Sequence, residues 1–225
     1  MHRAGPRQLA IAGLILVIAA AAGYWAYSVY SQKQLRRTVV ALVTDTSQRL
    51  RDVLTSAVAG TPAARFDTVA EIDAHAAKVH RNYSELGTLD QAGAITEAAD
   101  DYILTSREIL RRIAVSDRAR LNLAVNSVVL QDHMRSDRGE AAWPGEAVRL
   151  KQRVEQDYRD YRLAAQALVS LLDALPASQS RMAAHLGPGV LVDLALIASA
   201  RSTVLETSSR LAAATQKLGN LEAHR

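Results

Sequence analysis

The 225-residue sequence contains no cysteine, and aromatic residues make up only 4% of it. The missing cysteines exclude a disulfide framework, a zinc–thiolate site and a thiol nucleophile. Glycine and proline are scarce, with 11 and 5 residues, and no stretch alternates in the manner of a β-strand. Because helix-forming alanine and leucine abound instead, the composition predicts an all-α fold.

Motifs for catalysis and for cofactor binding are also missing. There is no H-E-x-x-H, G-x-S-x-G, P-loop or dinucleotide pattern. His75 and His80 are five residues apart, about 140° around a helix, and cannot face one metal ion. Asp132 and His133 are adjacent and point apart. We expect no catalytic residues, no metal site, no cofactor and no enzymatic activity, and we interpret the histidines as solvated side chains.

The formal net charge is +4, of which Arg3 and Arg7 supply two. The remainder of the chain is therefore close to neutral, which argues against a nucleic-acid-binding surface.

One long apolar run lies near the N-terminus. The 22 residues from Leu9 to Tyr30 carry no charge and end in a cluster that includes Tyr24, Trp25 and Tyr27. A helix of this length crosses a hydrocarbon core of about 30 Å, and aromatic rings favour the headgroup level. The run predicts a transmembrane helix.

The alternative is a signal peptide cleaved after Ala22. Such peptides usually have an apolar core of only about 7–15 residues, so we favour an uncleaved signal anchor. Flanking positive charges do not fix the orientation, but a large domain after an N-terminal anchor is usually exported. We expect a single-pass membrane protein, with residues 1–8 in the cytoplasm, 9–30 in the membrane and 31–225 exported.

The exported part divides into segments of helical length between clusters of glycine and proline. Two of them carry apolar stripes with a spacing near 3.5 residues, which suits antiparallel helices packed at shallow angles. The sequence therefore predicts an antiparallel helical bundle after the membrane helix. The helical segments are 8–58, 66–85, 91–135, 146–174, 178–186 and 190–221; one stripe is Val154, Tyr158, Tyr161, Ala165, Leu168, Leu172 and Leu175, and the other is Leu35, Val39, Leu42, Thr46, Leu50 and Val53.

Tyrosine and arginine side chains occupy some of the stripe positions. Tyr158 and Tyr161 should have buried rings, and a buried phenol needs a hydrogen-bond partner. Ordinary packing and the lining of a pocket between helices both remain open for them. Arg201 occupies an apolar position of a looser stripe in the last segment, where we expect it to reach water.

The segments "AAKVHRNYSEL" and "LAVNSVVLQDHM" resemble the DAHL domain, an all-helical extracytoplasmic sensory domain of bacterial membrane receptors. The matching residues are Arg81, Asn82 and Tyr83, then Asn126 and Ser127. The resemblance implies sensing of a ligand or partner in the bacterial periplasm by a protein anchored in the inner membrane, with these five residues as candidate ligand contacts, and no catalytic activity.

The sequence departs from this family in two ways. Ser84 and Glu85 stand where the family has Asp and Pro. Family receptors also return through a second membrane helix to a kinase or similar output domain, and these 225 residues contain neither pattern. We expect the chain to act through a partner membrane protein, such as a receptor, a kinase or a complex subunit.

Asn82 and Asn126 have a second interpretation, because asparagine in an apolar helix face can fix the register of neighbouring helices. A straight hairpin with its turn near residues 87–93 keeps the two apart. They converge only if the helix breaks near "VSDRAR" (115–120), and we expect that they do not converge.

Together these features predict a membrane-anchored periplasmic helical domain that binds a small ligand or a partner membrane protein in a sensory or accessory role. The alternative is a non-sensory structural or assembly subunit of a membrane or envelope complex. A cavity above about 300 Å³ with convergent polar groups would favour the first.

Overall fold

A computed structural model describes residues 6–59, 66–89, 93–135 and 143–223, and the side chains of 20–59, 68–89, 93–135, 143–187 and 189–217. This part of the chain is all-α, as predicted, and contains no strand. Some of the predicted features lie outside the described residues. They are residues 1–5 of the predicted tail and the glycines and proline at 60, 62 and 139, which belong to the clusters between the predicted segments. The elements are α1 (Pro6–Val58), α2 (Phe66–Leu86), α3 (Ala94–Arg135), α4 (Trp143–Leu186), a 3₁₀ turn (Pro188–Val190) and α5 (Leu194–Ala223).

Consecutive helices run antiparallel, which confirms the predicted helical bundle. Arg118 on α3 pairs with Asp73 in the first half of α2. About three turns earlier on α3, Arg107 lies over the ring of Tyr83, near the end of α2. At the far end of the α3–α4 hairpin, the indole Nε1 of Trp143 donates a hydrogen bond to the carbonyl of His133 at 3.1 Å.

The bundle has two layers because its helices differ in length. The lower layer contains the second half of α1, all of α2, the first half of α3, the end of α4 and the start of α5. The α3–α4 hairpin continues beyond it, joined only by the second half of α5. A helix of 21 residues, such as α2, is about 30 Å long, whereas the 42 residues of α3 reach about 63 Å.

Both predicted stripes form core faces. Every member of the α1 stripe from Val39 to Val53 is buried, and in the α4 stripe only Tyr158 is half-buried. The buried layer is wider than a heptad seam because Val43, Ser47 and Leu54 of α1 also face inwards. This width reflects three neighbouring helices around α1, namely α2, α3 and α5, rather than one partner.

A buried polar contact crosses the middle of the lower layer. The hydroxyl of Tyr102 donates to Ser47 Oγ at 2.9 Å, because Ser47 itself donates to the carbonyl of Val43 at 2.8 Å. Burial raises the pKa of Tyr102, which keeps its phenol protonated. Nearby, Gln179 Nε2 donates to the carbonyl of Val192 at 3.0 Å.

The predicted break between the helical segments 146–174 and 178–186 is wrong, since α4 continues through Pro176 to Leu186. Proline removes one backbone hydrogen bond and costs a helix interior about 3 kcal/mol. Leu172, Leu175 and Met182 lie buried on one face on either side of it. The free energy gained by burying this face exceeds the cost of the proline. The helix ends instead at Gly187, whose φ of +82° is the left-handed conformation that closes many helices.

The first half of α1 projects beyond the bundle. Tyr24, Trp25, Tyr27 and Tyr30 are 62–76% exposed, and Arg36 marks the edge of the bundle by donating to the carbonyl of His185 at 3.2 Å. Within the described residues, no helix has both the length and the apolar character needed to cross a membrane. For the predicted span 9–30, the side chains of residues 9–19 lie outside the described part.

The α4 core face gives a matched stability prediction. Leu175 is 0% exposed and Leu163 is 60% exposed on the same helix. Leu175→Ala leaves a cavity and should lower the free energy of unfolding by about 2–5 kcal/mol, whereas Leu163→Ala should change it by less than about 0.5 kcal/mol. Urea unfolding followed by circular dichroism measures both, and equal losses would contradict the assignment of the core face.

Candidate functional site

A cavity of about 650 Å³ lies where the lower layer of the bundle ends. There α1 finishes and α2 begins, while the other three helices continue, so the side chains at this level lack neighbours on one side. All five helices line the cavity. Its apolar wall includes Val53, Leu54, Val58, Ile72, Ile113, Leu168, Leu172, Ala200 and Val204.

The polar groups of the cavity centre on α3. Arg120 Nη2 lies 3.3 Å from Asp117 Oδ1, and both side chains are largely buried. Burial raises the pKa of Asp117, with the nearby Arg120 charge acting in the opposite direction. Burial likewise raises the pKa of Tyr161 to about 12. The Nε atom of Arg120 is buried and has no hydrogen-bond partner among the described residues.

His75 on α2 also lines this cavity. Its interpretation as a solvated side chain is wrong, because the residue is half-buried and its Nδ1 atom is buried without a hydrogen-bond partner in the described part of the chain. His80 is exposed, as expected. An unpartnered buried polar atom costs about 1–3 kcal/mol, and two of the residues that line the cavity, His75 and Arg120, carry such an atom.

Asn82 holds α2 against α1. Its Nδ2 atom donates to Asp45 Oδ2 at 2.8 Å and to Thr46 Oγ1 at 3.1 Å. Arg49 donates to both oxygens of the same Asp45 carboxylate, and these bonds lower the pKa of Asp45, with the Arg49 contribution the largest. The Asn82 amide therefore lies in a charged network that fixes the register of two helices.

Asn126 makes an equivalent contact in the upper layer, where its Nδ2 atom donates to Asp157 Oδ2 at 2.6 Å. Helix α3 is continuous through residues 115–120. Since Arg107 lies at the level of Tyr83, Asn126 is about 20 residues further along α3, or about 30 Å away. The two asparagines do not converge, as expected from a straight hairpin.

The other candidate residues also lie in separate places. Arg81 is exposed, and Tyr83 is half-buried beneath the guanidinium of Arg107, whose Cζ lies 4.9 Å from the ring centre. Ser127 is half-buried on the upper part of α3. Tyr158 packs against the apolar cluster of the upper layer. Of the seven predicted ligand contacts, only Tyr161 lines the large cavity.

Two further predictions concern charged groups. Arg201 reaches the surface, as expected, and its Nε atom also pairs with Asp173 Oδ1 at 2.6 Å. His133 does not pair with Asp132, because its Nε2 atom donates to the carbonyl of Trp143 at 3.1 Å and its ring stacks on the indole. No group of three or more metal-ligating side chains comes together within the described ranges.

The main cavity residues missed by the sequence analysis are His75, Asp117 and Arg120. Asp117 and Arg120 belong to "VSDRAR", one of several polar stretches of α3. Such a stretch also suits a solvated face or a helix break, so it does not point to a site.

Comparison of the chain with protein-family models, with curated proteins and with solved structures found no match. The resemblance to the DAHL domain therefore stays a prediction.

The two asparagine contacts predict independent losses of stability. Asn82→Ala and Asn126→Ala each remove a hydrogen bond to a carboxylate and should lower the free energy of unfolding by about 1–2 kcal/mol. Because the sites are far apart, the double variant should show the sum within about 0.5 kcal/mol. Asn122→Ala, at an exposed position of α3, is the control. Strong coupling in a double-mutant cycle would indicate one shared site.

Proposed function

We propose that this chain is a membrane-anchored, extracytoplasmic helical domain that binds a small molecule in a sensory or accessory role. The cavity of about 650 Å³ carries the proposal. It lies within the range of about 300–1,000 Å³ typical of small-molecule sites. Its apolar walls and the polar side chains of His75, Asp117, Arg120 and Tyr161 supply the mixture of burial and directed hydrogen bonds that such sites use.

The position of the cavity suits a sensory role. All five helices contribute to its wall, so a ligand that contacts them changes the free energy of one helix arrangement relative to another. Helix α1 lines the cavity through residues between Asp52 and Val58 and is continuous back to Pro6. A shift of its C-terminal end is therefore transmitted along one rigid element.

The membrane anchor rests on the sequence. The uncharged run from Leu9 to Tyr30 has the length of a membrane-spanning helix. The exposed aromatic rings between Tyr24 and Tyr30, beside the bundle, suit the headgroup level. In this arrangement the bundle stands in the periplasm on the inner membrane, and it passes its signal to a receptor, kinase or complex subunit of that membrane.

A second candidate function is that of a structural or assembly subunit without a ligand. Its support comes from Val125, Val128 and Val129, which are exposed on α3 beyond the reach of α2. Exposed valines at neighbouring positions suit contact with another membrane protein. The first function requires a ligand bound in the cavity, whereas the second does not.

Filling the cavity tests the first function. Thr203 lines it, whereas Ser202 is exposed beside it. Compounds that raise the melting temperature of the full chain in detergent should lose this effect on Thr203→Trp and keep it on Ser202→Trp. Melting without ligand shows that both variants fold. If no compound from a broad metabolite library stabilises the wild type, or if both variants respond alike, the structural function is favoured.

Topology tests the anchor. A reporter that is active only outside the cytoplasm, fused after Arg225, should be active, and the protein should remain in the membrane fraction at full length. A reporter active only in the cytoplasm should be silent in the same position. A mature N-terminus at Gly23 would show that the run is a cleaved signal peptide.

A further inference from the structure

The charged and polar groups of the cavity fall into an inner and an outer set. The inner set, which is buried or half-buried, comprises His75, Ser116, Asp117, Arg120 and Tyr161. The outer set is exposed and comprises Asp52, Glu71, Glu206 and Arg210. The two sets demand different chemistry from a ligand.

The inner set needs a hydrogen-bond acceptor. Arg120 uses Nη2 for Asp117 at 3.3 Å, while its buried Nε–H has no partner among the described residues. A guanidinium group has no acceptor atoms and presents its donors in a planar fork that matches a carboxylate or carbonyl oxygen. The Arg120 side chain as a whole is 31% exposed, so an oxygen in the cavity can bond to its terminal N–H groups, of which Nη2 also faces Asp117.

The outer set favours a cation. Arg210 is paired with Glu206 on the same helix, whereas Asp52 and Glu71 have no ion pair within the described part of the chain. The lining as a whole carries four carboxylates and two guanidinium groups, a net charge of −2 with His75 neutral. This negative charge attracts cations to the mouth of the cavity and repels anions.

We propose that the ligand is a dipolar small molecule with an apolar body, of the kind represented by a short apolar peptide with free termini. This inference rests on the proposed small-molecule function of the cavity. The carboxylate of the ligand binds Arg120, its apolar side chains lie against the aliphatic wall, and its ammonium group faces Asp52 and Glu71. A simple anion opposes the charge of the mouth, and a simple cation offers no acceptor to the Arg120 guanidinium.

Matched probes test the proposal by calorimetry on the full chain in detergent. The probes are leucyl-leucine with free termini, its C-terminal amide and its N-acetyl form. The free dipeptide should bind at least 10-fold more tightly than either blocked form. Arg120→Gln should abolish the preference for the free acid over the amide. The double variant Asp52→Asn, Glu71→Gln should abolish the preference for the free amine over the acetylated form.

Controls separate recognition from folding. Arg112→Gln, at an exposed position of α3 that does not line the cavity, should keep both preferences. If Arg120→Gln does not fold, Arg120→Lys retains a positive charge without the planar fork and should reduce the preference for the free acid.

Three outcomes would overturn the proposal. The first is tight binding of a blocked form, and the second is a preference that survives the Arg120 substitution. The third is the absence of binding by all three probes while compounds of another class still bind and are excluded by Thr203→Trp. In the third case the small-molecule function stands and only the ligand class is wrong. If nothing of any class binds the cavity, both proposals fail.

Discussion

The unequal length of the helices is the constraint on which the rest of this structure depends. Helix α2 has 21 residues, while α3 and α4 have 42 and 44. A shell of α1 and α2 can therefore cover only half of the α3–α4 hairpin. At the level where α1 ends, side chains that would face a neighbouring helix face a void instead, and the five helices come together around it.

Hydrogen bonds in and beside the core fix the register of the helices, and with it the level at which α1 ends. Tyr102 bonds Ser47 in the centre of the lower layer, and Asn82 bonds Asp45 at its edge. A shift of one helix by a single turn, about 5.4 Å, would separate these partners and leave buried polar groups unsatisfied. The apolar stripes alone tolerate such a shift much better, because leucine and valine pack against many neighbours. The polar contacts thus select one register among several apolar ones.

Charge pairing is distributed differently on the surface and around the cavity. Exposed pairs such as Arg181 with Asp101 and Arg201 with Asp173 link neighbouring helices, and each contributes about 0–1 kcal/mol in water. Around the cavity, the Arg120 Nε atom has no hydrogen-bond partner and Asp52 and Glu71 form no ion pair among the described residues. The charged side chains at the cavity are the groups to which the proposed ligand would bind.

The sequence by itself determined the helical content, the approximate helix limits and most of the core. Leu168, Leu172 and Leu175 repeat with the period of a helix, and such a local pattern depends only on which face of one helix is apolar. It did not determine the path of α4, because Pro176 is a local breaking signal that burial on both sides of it overrides. Nor did it determine the site. His75, Asp117 and Arg120 are polar residues on helices, which a single sequence cannot distinguish from solvated ones. Only the tertiary structure places them at the cavity, because it brings the end of α1 and the start of α2 beside them, and that juxtaposition arises from contacts between residues far apart in the chain.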